Sequence, residues 1–183
     1  MYSRDKKNNM KYIFDFDDVI FHTTRHRKEH MFVLLEKAGI PLEKIEAYYK
    51  VARVNLFSLK KILEHFSVPP NLYGEIMNES KSYINKDIFE FIKKIDKKDK
   101  YIVTYGDAEF NKEKLIYSGA FELFNEQNIF IVQGSKKEIV ESICTKHKDE
   151  EVIFIDDKEK EFADLDLQKY PNLKTVLYTG QLW

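Results

Sequence analysis

Two short apolar runs, far apart in the chain, each end in adjacent carboxylates. Lys11-Tyr12-Ile13-Phe14 leads into Asp15-Phe16-Asp17-Asp18-Val19, and Val152-Ile153-Phe154-Ile155 leads into Asp156-Asp157. Each run is short, continuous and rich in β-branched or aromatic residues, the pattern of a buried strand. Carboxylates placed where such strands stop converge at the carboxyl edge of a parallel sheet, where open α/β folds bind ligands. Acids gathered at one point repel each other, so positive charge must hold them. A hard divalent cation with oxygen ligands, Mg²⁺, suits that role, and the arrangement points to phosphoryl chemistry.

The remaining pattern says how such a sheet is made. From residue 100 onward strands alternate with helices: Tyr101–Thr104, a helix opened by Asp107 and closed at Gly119, Asn128–Gln133, a helix opened by Ser135, Val152–Ile155, a short helix, and Lys174–Tyr178. This alternation predicts a doubly wound parallel sheet, to which the first strand also belongs. Between the first and second strands the pattern is helical throughout. A helix is predicted from about Thr23 to Ala38, capped by Gly39, followed by helical stretches Leu42–Val54 and Ser58–Phe66, a break at Pro69-Pro70, another helix, and one capped by Asp87. The expected organisation is an α/β core from residues 1–21 and 88–183, with residues 22–87 inserted as an all-helical cap over the carboxyl edge.

Charge and composition narrow the partners. Thirty basic residues nearly balance 31 acidic ones, leaving a formal charge of −1, so electrostatics favours neither nucleic acid nor an anionic membrane. One cysteine, Cys144, cannot close an internal disulfide, and no apolar run approaches membrane-spanning length. The polar stretch Met1 to Met10 lacks the apolar core of a signal peptide and is expected to be a frayed tail. A cytoplasmic protein acting on a small molecule is expected.

Hydrolysis of a phosphate ester through a covalent intermediate needs a nucleophile, a proton donor for the leaving oxygen and positive charge on the transferring group. Asp15 and Asp17 share one side of an extended segment, or a turn splays them to separate tasks; one attacks phosphorus and the other protonates the leaving group. The Thr104 hydroxyl ends its strand in position for a phosphoryl oxygen, Lys136 or Lys137 offers charge, and Asp156 and Asp157 complete a metal site.

Taken together these segments resemble the haloacid dehalogenase-like (HAD) phosphohydrolases that carry a helical type-1 cap. Four motifs stand in family order: Ile13-Phe14-Asp15-Phe16-Asp17-Asp18-Val19, Tyr101-Ile102-Val103-Thr104, Ser135-Lys136-Lys137-Glu138, and Val152-Ile153-Phe154-Ile155-Asp156-Asp157. The resemblance implies a Rossmann-like core and an aspartyl-phosphate formed on Asp15. It implies Asp17 as general acid/base, Thr104 and Lys136 on the phosphate, and Mg²⁺ held by Asp15, the Phe16 carbonyl and the fourth-motif acids, with Asp17 counted in the metal set. Lys136 is preferred to Lys137 for its place at the helix start, and to Lys112 and Lys114, which lie in the preceding helix. Glu161 stands where the family often has a further acid or amide.

Substrate contacts are expected from Thr104, Tyr105, Gly106 and Lys136, and from Arg25 and His26 in the segment that follows the first motif. Arg25, Arg27 and Lys28 lie among His22, His26 and His30, which recur every fourth residue and share one helical face; three turns of one helix cannot wrap a tetrahedral zinc ion. The expected activity is Mg²⁺-dependent hydrolysis of a small phosphorylated metabolite. Transfer to another hydroxyl, as in a phosphotransferase or mutase, is the alternative within the class, and a binding or regulatory protein on the same scaffold is the alternative outside it.

Overall fold

A computed structural model describes residues 10–180. Residues 1–9, most of the stretch expected to fray, lie outside the described residues, while Met10 already opens the first strand. The strands are β1 (Met10–Phe14), β2 (Lys100–Tyr105), β3 (Ile129–Val132), β4 (Glu151–Asp156) and β5 (Leu173–Leu177). All pair in parallel, in the order β3-β2-β1-β4-β5, with β1 central.

Successive strand residues point to opposite faces, and the core divides accordingly. Phe14, Ile102 and Ile155 join one buried cluster with Ile88 and Ile92 of α6 (Lys86–Lys93) and Leu115 of α7 (Ala108–Ser118). Their neighbours Ile13, Val103 and Phe154 join another with Val140, Ile143 and Cys144 of α8 (Lys137–Lys146). Helices therefore cover both faces, and the strands show no polar alternation, which is why they read as continuous apolar runs. A short helix, α9 (Lys160–Ala163), follows β4.

The chain leaves the core at Phe21–His22 and returns at Tyr83–Ile84. The two crossings are pinned by an antiparallel bridge between Phe21 and Ile84 and by the His22 amide donating to the Tyr83 carbonyl at 2.8 Å. Between them lie α1 (Thr23–His26), α2 (Phe32–Lys37), α3 (Leu42–Ala52), α4 (Leu59–His65) and α5 (Asn71–Asn78), packed on their own apolar cluster that includes Leu35, Ile45, Leu59, Ile62 and Ile76. Phe110 of α7 is buried in that cluster.

Two local expectations are corrected. The helix predicted over Thr23–Ala38 is interrupted by a π turn at Arg27–Met31, a form often found at functional sites. The cap of α6 is Asn85, whose side chain accepts from the Ile88 amide, rather than Asp87. Among the described residues no helix is long and apolar enough to cross a membrane.

Candidate active site at the carboxyl edge of the sheet

Beyond β1 the chain stays in register for one more residue: the Asp15 amide donates to the Ile155 carbonyl at 2.9 Å. It then turns sharply. Asp18 adopts φ 58°, and the Ile20 and Phe21 amides both donate to the Phe16 carbonyl at 3.0 Å. That carbonyl, expected among the metal ligands, thus accepts two amides of its own loop. The turn splays the two motif aspartates, settling the choice left open by an extended reading. Asp18 carries a separate task, accepting the Thr24 amide at 2.9 Å and its hydroxyl at 2.7 Å and so satisfying a free N–H at the start of α1.

Asp15, Asp156 and Asp157 meet at the ends of β1 and β4, with ligand oxygens all within 4.8 Å of one another. Lys136 Nζ lies 3.0 Å from Asp15 and 2.6 Å from Asp156, with all three side chains buried. Lys137 turns outward to Glu141, so of the adjacent lysines Lys136 enters the site. Burial pushes the Asp15 carboxyl up to about 6, against the pull of Lys136 and with the repulsion of Asp156 and Asp17. Burial likewise raises Asp157, although Lys158 Nζ stands 3.2 Å away. Lys136 itself is held above its ordinary value: burial works against its charge, but Asp15 and Asp156 outweigh it.

The fit of this edge to a divalent cation rests on its donors. Three carboxylates converge, a hard oxygen set. The Thr104 hydroxyl is buried with no hydrogen-bond partner, as a polar group that a ligand would satisfy, and Asp157 Oδ1 meets only Lys158 Nζ, at 3.2 Å. Asp17, expected among the metal ligands, is instead engaged elsewhere. One of its oxygens accepts from the Thr23 hydroxyl and from Lys114 Nζ, each at 2.5 Å. Burial opposes its charge, yet Lys114 and Thr23 hold the carboxyl below the usual range.

Lys114, passed over in the sequence for its place in a helix, is therefore a site residue. Its signal was present: Asn111, Lys114 and Ser118 fall on the same buried face of α7 as Phe110 and Leu115. Polar residues at inward positions of an apolar stripe need partners. Asn111 donates to the Tyr105 carbonyl at 3.1 Å, and a side chain on Gly106 would collide with its amide. Glycine there lets the loop after β2 lie against α7.

One cavity of about 440 Å³ opens over this edge; Asp15, Asp17, Lys114 and Lys136 line its floor. Tyr105, Gly106, Lys158 and Glu161 line its sides, and the inserted helices supply His26, Arg27, Tyr49, Arg53 and Phe57. Arg25 is not among its walls: its exposed guanidinium makes a bidentate pair with Glu29 on its own helix. His26 is buried, with Nε2 3.1 Å from the Ile76 carbonyl. Burial drives its pKa down to about 4, so it faces the cavity as a neutral ring.

No family model matches the chain, and no curated protein matches it. Solved structures do. A structure described as a haloacid dehalogenase-like hydrolase from Burkholderia xenovorans LB400 superposes with a TM-score of 0.70 at 14% identity, over 92% of this chain and 81% of that one. The HAD-hydrolase YfnB from Bacillus subtilis, crystallised bound to magnesium, gives 0.52 at 18% identity, over 91% and 85% of the two chains. A hydrolase from Streptococcus pneumoniae TIGR4 gives 0.51 at 14% identity, over 94% of each chain. With β1 central in a five-stranded parallel sheet and these structures as its likenesses, the chain has the fold of the haloacid dehalogenase-like hydrolases.

Proposed function

We propose that the protein is a Mg²⁺-dependent phosphohydrolase that cleaves a small phosphate monoester through an aspartyl-phosphate on Asp15. One observation carries the reading: two carboxylates two residues apart are held in separate ionic settings, Asp15 by Lys136 and Asp17 by Lys114, and both line one cavity. Asp15, at the end of the central strand, bonds to phosphorus as the ester P–O bond breaks. The Asp17–Lys114 pair carries the proton that the leaving oxygen takes. Water then attacks phosphorus, Asp17 accepts its proton, and inorganic phosphate leaves a restored Asp15 carboxylate. Lys136 neutralises charge on the nucleophile's side, and the unpartnered Thr104 hydroxyl is a donor for a phosphoryl oxygen. Asp15, Asp156 and Asp157 would hold Mg²⁺, which when bound supplies positive charge to the transferring group.

The test is turnover of para-nitrophenyl phosphate in Mg²⁺ and its loss on chelation. Asp15→Asn should abolish turnover, and rapid acid quench of the wild-type enzyme should trap one phosphoryl group on the peptide containing Asp15. A folded protein that hydrolyses no phosphate ester across an alkyl and aryl panel would overturn the reading.

A further inference from the structure

The cavity is far larger than a phosphoryl group needs, and falls in the range that accommodates whole small molecules. Its upper part is built differently from its floor. Met31, Tyr49, Leu56, Phe57 and Phe110 give it apolar walls, and Arg27 and Arg53 are the basic side chains that the inserted helices bring into it.

Arg25 and Arg27 make an internal comparison. They lie two residues apart, on either side of the start of the π turn. Arg25 is neutralised by Glu29. Arg27 is half-buried, its guanidinium 4.3 Å from the centre of the Tyr49 ring, with Nη1 donating to the Tyr49 hydroxyl at 2.5 Å. Among the described residues no carboxylate pairs with Arg27 or with Arg53. Stacking on an aromatic face fixes the plane of a guanidinium while leaving most of its five donors free. A cation partly withdrawn from water, rigidly oriented and without an acid is unfavourable by itself and is stabilised by an incoming oxyanion.

We propose that Arg27, held on Tyr49 and assisted by Arg53, forms a subsite for a second anionic group. The preferred substrate is then a phosphate monoester with an apolar or aromatic body and a carboxylate or second phosphoryl group at its far end. The apolar walls favour such a body over a polyol, which would bury less apolar surface against Met31, Leu56, Phe57 and Phe110. This deepens the phosphohydrolase reading, on which it relies only for the identity of the first anion.

Binding can be measured without turnover. Calorimetry in Mg²⁺ compares para-carboxybenzylphosphonate with its para-carbamoyl analogue, whose far group is uncharged, and with the para-xylylene bisphosphonate. Either probe with a second anionic group should bind about tenfold or more tightly than the carbamoyl compound, the size of a hydrogen bond to a charged group, and the tighter of the two identifies the second group. Arg27→Gln should bring the ratio near one, Arg27→Lys should keep only part of it, and Arg25→Gln should keep all of it. Equal binding by wild-type protein, or a preference that survives Arg27→Gln, overturns the subsite. The same pair as aryl phosphates separates the two claims: a charge preference in binding with no hydrolysis of either ester sinks the phosphohydrolase and leaves the subsite. Hydrolysis of both esters with no charge preference does the reverse.

Discussion

At the scale of single residues the site is an exercise in pairing buried charge. Asp17 and Lys114 act as a unit, since either alone would be an ionised group withdrawn from water. Asp17→Asn is expected to slow alkyl phosphates by about 10²–10⁴-fold, the usual worth of a general acid, and an acidic aryl phosphate much less. Lys114→Met should show the same dependence on leaving group. Equal losses on both esters would place Lys114 outside proton transfer. His26 predicts a different pH effect. Its folded pKa of about 4 lies below the ordinary 6.5, through burial and the nearby His30 and Lys114, with the hydrogen bond to the Ile76 carbonyl and then Glu79 opposing. The unfolded chain therefore binds the proton first, and stability is lost as pH falls from about 6.5 to about 4. The full loss is at most about 3 kcal/mol. Urea titrations at neutral and mildly acidic pH should show this slope in the wild type and its reduction in His26→Gln. Sequence reading named Asp15, Asp17, Thr104 and Lys136 because strand ends and spacing are local signals. It passed over Lys114 because a lysine on a helix looks the same whether it faces water or an aspartate far away in the chain.

At the scale of elements, α6 joins the inserted helices to the core. Its two apolar anchors, Ile88 and Ile92, are fully buried, and both its ends are tied. At the start, Asn85 accepts from the Ile88 amide and donates to the Val19 carbonyl at 2.9 Å and the Tyr178 hydroxyl at 2.6 Å. At the end, the Ile92 carbonyl accepts the Ile95 amide at 3.1 Å and also the buried Lys100 ammonium at 2.7 Å, whose charge suits the negative end of a helix. Asn85→Ala removes a cap and strands buried partners, so it should cost about 2–4 kcal/mol in urea unfolding. Tyr178→Phe, which removes one hydroxyl, should cost about 1 kcal/mol. The sequence showed where this helix lies but named Asp87 as its cap, because both residues are good cap formers and only the backbone decides which stands outside the helix. The π turn at Arg27–Met31 was equally hidden. Nothing in the spacing of Phe32, Leu35 and Ala38 separates a regular helix from one that takes an extra residue into a turn.

At the scale of the whole molecule, the inserted helices are closed onto α7. Phe110 is buried among them, Lys60 reaches Glu109 at 2.6 Å and Glu113 at 3.2 Å, and the Tyr73 hydroxyl donates to Glu113. Glu113→Gln weakens this docking without touching the cavity floor. Amide exchange in α4 and α5 should accelerate while β1 and β4 stay protected; unchanged exchange would show that apolar packing alone closes the site. The sequence by itself determined the parallel sheet, the helical insertion and the acids at the strand ends, because buried strands and strand termini leave marks within a few residues of one another. Tertiary structure alone decided that Lys114 answers Asp17, that the Phe16 carbonyl accepts two amides of its own turn, and that Arg27 rather than Arg25 faces the cavity. Each of those depends on which direction a side chain or carbonyl points once distant segments have packed. A helical period places residues on a face, but it does not say what that face will meet.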